Sequence, residues 1–474
     1  MGSGTLEIMR GRLSVLYFLQ FAVWGCYLSC FGQLLGGGGL GSDIQWFYAA
    51  VGLVSLVTPA LMGHFADRFV PSLRLLGLSH LCASVIMFGG WIYASSHTHF
   101  EFWPFFLIYL GFLAFYMPTM ALSNTTTFAL LKQRGQQPVD QFPIIRVWGT
   151  LGFVAAMWFV NSAYYYDGTF GFTLNDLNPG APYRFQYTSM QLLSSSILGL
   201  LTALYTLTLP VNPVPHPGKS SSFSDIFGLK AFKLFKIPEV RTFLIFAVFT
   251  GVCLQISNGY AIPYINHFMA FEKYIGSLAA GNATLLFSLS QMSEAAFILI
   301  TGIAMKKIGF KWVIFSALIA WCLRFLFLGL GDPGEGLWWL VFSMVVYGVA
   351  FNFFNISGHI YMDQQSDSTT RGFGQGLLMM MSNGIGATGG MIAAGAIVNH
   401  YCEWEMLPSP SGHGMMRLFM GDWIAPWLIF AAYALAVGLL FVIFFRRGVC
   451  SQSTPSKSHK SFKEEPCLVR FPGQ

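Results

Sequence analysis

Long apolar runs, divided by short polar stretches, fill most of the chain. A helix needs about 20 apolar residues to cross the hydrocarbon core of a bilayer. Runs of that length lie near 11–35, 45–66, 74–96, 103–131, 142–162, 189–210, 240–268, 279–304, 310–330, 337–361, 372–399 and 421–446. They predict an all-α membrane protein of twelve transmembrane helices. The longest polar break, 211–239, divides them six and six. It opens with the Pro/Ser-rich VNPVPHPGKSSS and continues with DIFGLKAFKLFKI, an amphipathic stretch suited to a membrane surface. The expected organisation is an N-terminal six-helix half (1–210), a cytoplasmic linker (211–239), a C-terminal six-helix half (240–447) and a disordered cytoplasmic tail (448–474).

Charge tests this count. With the N-terminus in the cytoplasm, the inside loops and tails collect 21 of the 26 Lys and Arg, the outside loops hold only Arg184, Lys273 and Arg417, and Arg146 and Arg324 fall within spans. The positive-inside rule demands such a split, and one miscounted span would invert every later loop. Both termini are therefore expected in the cytoplasm, with the chain multi-pass in its membrane.

Composition agrees. Of the 474 residues 54% are hydrophobic and 10% charged, and the mean hydropathy is +0.57. A soluble domain carries roughly 25% charged residues. The net charge of +6 reads as topology rather than nucleic-acid affinity. The first apolar run lacks a small-residue cleavage site and reads as a span, not a signal peptide.

Several motifs fail in context. GGGGLG at Gly36–Gly41 resembles a dinucleotide fingerprint, but no strand precedes it. It is expected to be a flexible outside loop. PGKSS around Lys219 has Pro213 where a phosphate loop needs its first Gly. The ten His and eight Cys show no metal-ligand spacing. No cofactor is expected, and no nucleophile–base set points to an enzyme.

A faint repeat marks the two halves. GHFADR (Gly63, Asp67, Arg68) follows span 2, and GIAMKK (Gly302, Lys306, Lys307) follows span 8. The first copy resembles the loop signature of the major facilitator superfamily. Two six-helix halves suit a transporter with a midplane site between them.

Polar residues at membrane depth are costly and so become functional candidates. Glu294 is the one acidic residue near the middle of a span, with Gln291 one turn earlier. Gln255 and Asn258 repeat that spacing on span 7. Such pairs could read a ligand rich in donors and acceptors or bond neighbouring helices. Glu294 could carry a proton, pair with a cation or meet a substrate. Arg146, Thr150 and Phe153 share one face of span 5, although Arg146 could also snorkel to the interface. Tyr347, Phe351, Phe354 and Asn355 share a face of span 10, flanked by Asn352. An aromatic face beside an amide could stack a flat ring or simply pack. Gln20 and Trp24 on span 1, the Pro-containing YMPT of span 4 and the glycines of span 11 read as structural.

Taken in order, FLQFAVWG, the MPT of span 4, FPIIRVWGTLGF, LQISN, SQMSE, LIAWCLRF, GDP and YGVAFNFFNISG resemble the nucleoside:proton symporter family of the major facilitator superfamily, the NupG-type permeases. The matches run from span 1 to span 10. The resemblance implies uptake of nucleosides driven by a proton gradient, by alternating access. It places Arg146, Thr150, Phe153, Gln255, Asn258, Gln291, Glu294, Tyr347 and Phe351 around the nucleoside, where the residue faces above also put Asn355. It further implies a monomer in a bacterial inner membrane, with nucleoside, proton and lipid bilayer as partners and no nucleic acid. One departure stands out. The position of Asn352 can be Asp in that family, tied to proton coupling, and Asn cannot ionise. Glu294 then carries the proton alone, or coupling is altered. The alternatives are a nucleoside uniporter, a sugar or oligosaccharide symporter of the same fold, and a membrane sensor that binds nucleosides without moving them.

Overall fold

The computed structural model describes residues 3–136, 138–211, 229–365 and 371–445. Among them, nine helices are long and apolar enough to cross a membrane. The three other expected crossings are α1 (Ser3–Gly25), the 17-residue α7 (Met190–Thr206) and the part of α9 before Gly309. The remaining helices are α2 (Phe31–Gly37), α3 (Ile44–Arg68), α4 (Ser72–Ser96), α5 (Phe102–Lys132), α6 (Pro138–Ser162), α8 (Pro238–His267), α9 (Ala283–Leu330), α10 (Leu337–Gln365), α11 (Arg371–Met379), α12 (Ala387–Tyr401) and α13 (Ile424–Phe444). Spans 8 and 9 meet inside α9, where Gly309 takes φ 76°, a backbone conformation that favours glycine. A π-helical turn, Met380–Gly386, joins α11 to α12. Most of the 211–239 linker and all of the tail lie outside the described residues.

Glycines bring backbones together in two places. A Cβ on Gly25 of α1 would lie 2.3 Å from the Phe153 carbonyl oxygen of α6, and one on Gly152 would lie 2.1 Å from that of Phe18. A Cβ on Gly251 of α8 would lie 2.0 Å from the Ser382 carbonyl, and one on Gly386 would lie 2.2 Å from that of Val248. Membrane helices use small residues for such close approach. Of the span-11 glycines Gly384, Gly386, Gly389 and Gly390, a Cβ on Gly389 would face open space, while the other three face side chain or backbone. Gly63 and Gly302 also face open space, so the loop repeat is not written in packing.

Two corrections concern the loops. GGGGLG is not simply a loop, because Gly36 and Gly37 close the short helix α2. Trp404 explains the glycines: a Cβ on Gly36 would meet its ring at 2.1 Å, and one on Gly41 at 2.2 Å. Trp404 lies on the hairpin of β3 (Cys402–Pro408) and β4 (Met415–Gly421), stacked on Phe419. The 163–188 segment carries a second hairpin, β1 (Ala163–Tyr166) and β2 (Thr169–Phe172). Its turn is Asp167-Gly168, both at positive φ, the tight-hairpin signal that the hydropathy pattern hides.

Overpacking a closed contact costs about 1–3 kcal/mol. Gly36→Val is therefore expected to lower the melting temperature, and adding Trp404→Ala to recover part of the loss. Equal losses with and without Trp404 would show that the glycine accommodates something else.

Contacts between the first six spans and the last six gather at the end that bears both hairpins. There α3 packs on α12 and the π turn, α6 on α9, and α2 on α8 and β4. Trp158 donates to the Ser288 hydroxyl (2.8 Å) and Asn399 to the Ser42 carbonyl (2.8 Å). The deepest tie is a buried network. Arg184, 1% exposed, donates to Asp176 (2.7 Å) and to the Asn282 side-chain oxygen (2.8 Å). Asn161 donates to the same oxygen at 2.7 Å. Burial lifts the Asp176 carboxyl above its ordinary range, and Arg184 pulls it back.

Candidate functional site

The candidate residues form two clusters, one on the helices before the 211–239 linker and one on the helices after it. On the N-terminal side, α6 supplies Arg146, Thr150 and Phe153. The Arg146 guanidinium lies over the Phe21 ring, 4.1 Å from its centroid, so the α1 aromatic face engages the cation. Trp24 lies 6.5 Å from Phe153 and 6.1 Å from Tyr116, edge to face with both. Trp24 is thus the hub of this wall rather than filler. The Tyr116 hydroxyl donates to the Gln20 carbonyl (2.8 Å) and the Gln20 amide to Thr119 (3.4 Å), while Gln20 Oε1 has no partner. Pro118 lies between these contacts inside a continuous α5.

On the C-terminal side, α8 supplies Gln255 and Asn258, α9 supplies Gln291 and Glu294, and α10 supplies Tyr347, Phe351, Asn352 and Asn355. Tyr347 and Phe351 stack at 5.7 Å with their planes 8° apart, and Trp321 meets Tyr347 edge-on at 5.7 Å. Glu294 is 9% exposed. Asn352 donates to the Glu294 main-chain carbonyl at 2.6 Å. Asn355 donates to Phe351 of its own helix (3.2 Å) and lines a small cavity with Thr250, Leu254, Trp321, Phe351 and Asn383. Phe354 borders this cavity and packs on Phe243.

The arrangement sets a guanidinium, amides and a carboxyl among stacked rings. Such a set can hold a flat, polar molecule by its edges and its face. Sequence reasoning missed Phe21, Trp321 and Asn383 as wall residues. The π turn carries Asn383, and nothing in the hydropathy marks it. The Asp67 and Arg68 side chains lie outside the described residues.

These helices and this face define a membrane transporter of the major facilitator fold. A bacterial homolog of the human lysosomal transporter Spinster shares that fold at 14% identity, with a TM-score of 0.61 over 94% of this chain and 95% of that one. The chain belongs to the nucleoside H+ symporter family, whose profile matches residues 8–449. The xanthosine permease of Escherichia coli K12 is 35% identical over 92% of this chain and 95% of its own. The nucleoside permease NupG of the same organism is 32% identical over 92% and 96%. A crystal structure of the nucleoside transporter NupG superposes with a TM-score of 0.76 at 32% identity, over 93% of this chain and 99% of that one.

Proposed function

We propose that the protein imports nucleosides across a bacterial inner membrane together with protons, by alternating access, as a monomer with both termini in the cytoplasm. The halves 1–210 and 240–447 are the rocking units, joined by 211–239. The observation that carries this reading is the pair of aromatic walls, Trp24 against Phe153 beside the Arg146 guanidinium and Tyr347 stacked on Phe351 beside Asn352, whose amide holds the Glu294 carbonyl. Gln255, Asn258 and Gln291 read ribose hydroxyls or base edges, Thr150 and Asn355 line the site, and the aromatics stack the base. Gly63, Asp67 and Arg68, expected in a loop, lie in the last turns of α3, and this helix end moves between states.

Asn352 bears on the coupling. A charged carboxylate has no hydrogen to give the Glu294 carbonyl, whereas a protonated acid or an amide has. Asn352 therefore holds the geometry of a proton-loaded acid at every pH, and Glu294 carries the proton alone. The same observation favours a second reading, a nucleoside uniporter.

Uptake of labelled nucleosides into proteoliposomes, with and without an imposed pH gradient, separates the readings. Gradient-driven accumulation supports symport, and gradient-independent uptake leaves the uniporter. Binding without uptake indicates a sensor, and sugar uptake that nucleosides do not compete indicates a saccharide carrier. Asn352→Asp is expected to add a titrating group, so that its uptake falls more steeply toward alkaline pH than that of the parent. Superimposable pH profiles would show that the Asn352 contact does not bear on coupling.

A further inference from the structure

Arg324 is fully buried in α9. Among the described residues, no carboxylate is a partner. Its Nε donates to the Ser257 hydroxyl of α8 (3.0 Å). Its Nη1 donates to the Ser290 hydroxyl of α9 before the Gly309 break (3.1 Å) and to the Ser343 carbonyl of α10 (2.9 Å). Nη2 has no partner. The guanidinium lies over the Tyr347 ring, 4.6 Å from its centroid.

Nη1 also reaches the Met344 sulfur (3.9 Å), and the three serine partners share a sequence relation. Ser257 stands between Gln255 and Asn258, Ser290 directly before Gln291 and one turn from Glu294, and Ser343 one turn before Tyr347. One side chain thus fastens, from behind, the three helix segments whose next residues form the C-terminal wall of the site. A buried unpaired charge is costly, and apolar residues of similar volume often replace buried ionic groups without loss of stability. A purely structural role would not favour an arginine here.

We infer that Arg324 is a positioning residue of the substrate site: its guanidinium sets the relative register of Gln255, Asn258, Gln291 and Glu294, and its charge fixes the ring of Tyr347 for stacking. The inference rests on the nucleoside reading above. Its arms are distinct, because a side chain that acts through Tyr347 loses its effect when that ring is absent.

The test is equilibrium binding of adenosine, uridine and xanthosine to the purified full-length protein, with thermal unfolding measured in parallel. Arg324→Met is expected to weaken binding at least about thirtyfold (about 2 kcal/mol) with an unchanged or raised melting temperature. Arg324→Lys keeps a cation over Tyr347 without the planar fork and is expected to recover part of the loss. In a Tyr347→Leu background, Arg324→Met is expected to weaken binding distinctly less than it does in the parent. Arg324→Met binding within twofold of the parent, or an equal loss in both backgrounds, overturns the inference alone. Failure of the parent to bind any nucleoside overturns the nucleoside reading and the inference with it. Should Arg324→Met not fold, Ser257→Ala and Ser290→Ala carry the test, each expected to weaken binding at least about threefold, and parental binding by both overturns it.

Discussion

Glu294→Gln is expected to end proton-driven accumulation of nucleoside in proteoliposomes while leaving nucleoside exchange intact. Gln matches the shape of the protonated acid but can neither release nor take up a proton. Glu294 is buried, and its main-chain carbonyl is held by Asn352. A carboxylate that must lose its water on closure is a natural proton acceptor. The variant should bind nucleoside with less than about a tenfold change, since one charge-assisted bond becomes a neutral one. Accumulation should fall to the level seen without a gradient. A Glu294→Gln protein that still concentrated nucleoside against a pH gradient would move the proton site elsewhere.

The second large effect lies at the hairpin end. Arg184→Met strips three hydrogen bonds from a fully buried cluster: those to Asp176, to Asn282 and to the Ala181 carbonyl (3.1 Å). Removing one member of a buried ion pair costs roughly 3–5 kcal/mol, because the other charge is left uncompensated. Proton uptake by Asp176, whose carboxyl burial already lifts, would relieve part of that cost. The network joins the 163–188 segment to the start of α9. Its loss should both lower the melting temperature and open this end. An engineered Ser288→Cys beneath it is expected to react faster with a membrane-impermeant maleimide in the Arg184→Met protein. Unchanged labelling would mean that the hairpin end is held shut by the Trp404 contact and its neighbours alone.

How much of this was legible in the residues depends on what each signal reports. Hydropathy and charge sorting predict long apolar crossings, because burial in lipid acts on every side chain of a span. They misplace the end of the first crossing: α1 breaks at Gly25 although the apolar run continues to residue 35. Gly25 ends the helix where the Phe153 backbone approaches, and that partner is 128 residues away. Spacing along a helix put Arg146, Thr150 and Phe153 on one face, since the 3.6-residue period is local. It could not decide whether Arg146 snorkels, because the answer is the Phe21 ring of another helix. Trp404 sits on Gly36 and Gly41 for the same kind of reason. A string of glycines reads as freedom until the aromatic side chain that fills the space is known. Arg324 carried the opposite signal, a charge in a span, yet its partners Ser257, Ser290 and Ser343 are among the least conspicuous residues of their segments.

The four close glycine contacts have a further meaning. Span 1 meets span 5 through Gly25 and Gly152, each against the other helix's backbone, and span 7 meets span 11 through Gly251 and Gly386 in the same reciprocal way. Spans 7 and 11 are spans 1 and 5 counted again from the middle of the chain. The same pair of spans in each run of six is therefore marked by reciprocal glycine contacts, a likeness clearer than the faint repeat of residues. Each half keeps an inner pair of helices clasped too tightly to slide. On the proposed alternating-access reading, a solute between them would meet two matching jaws held against sliding and left to tilt.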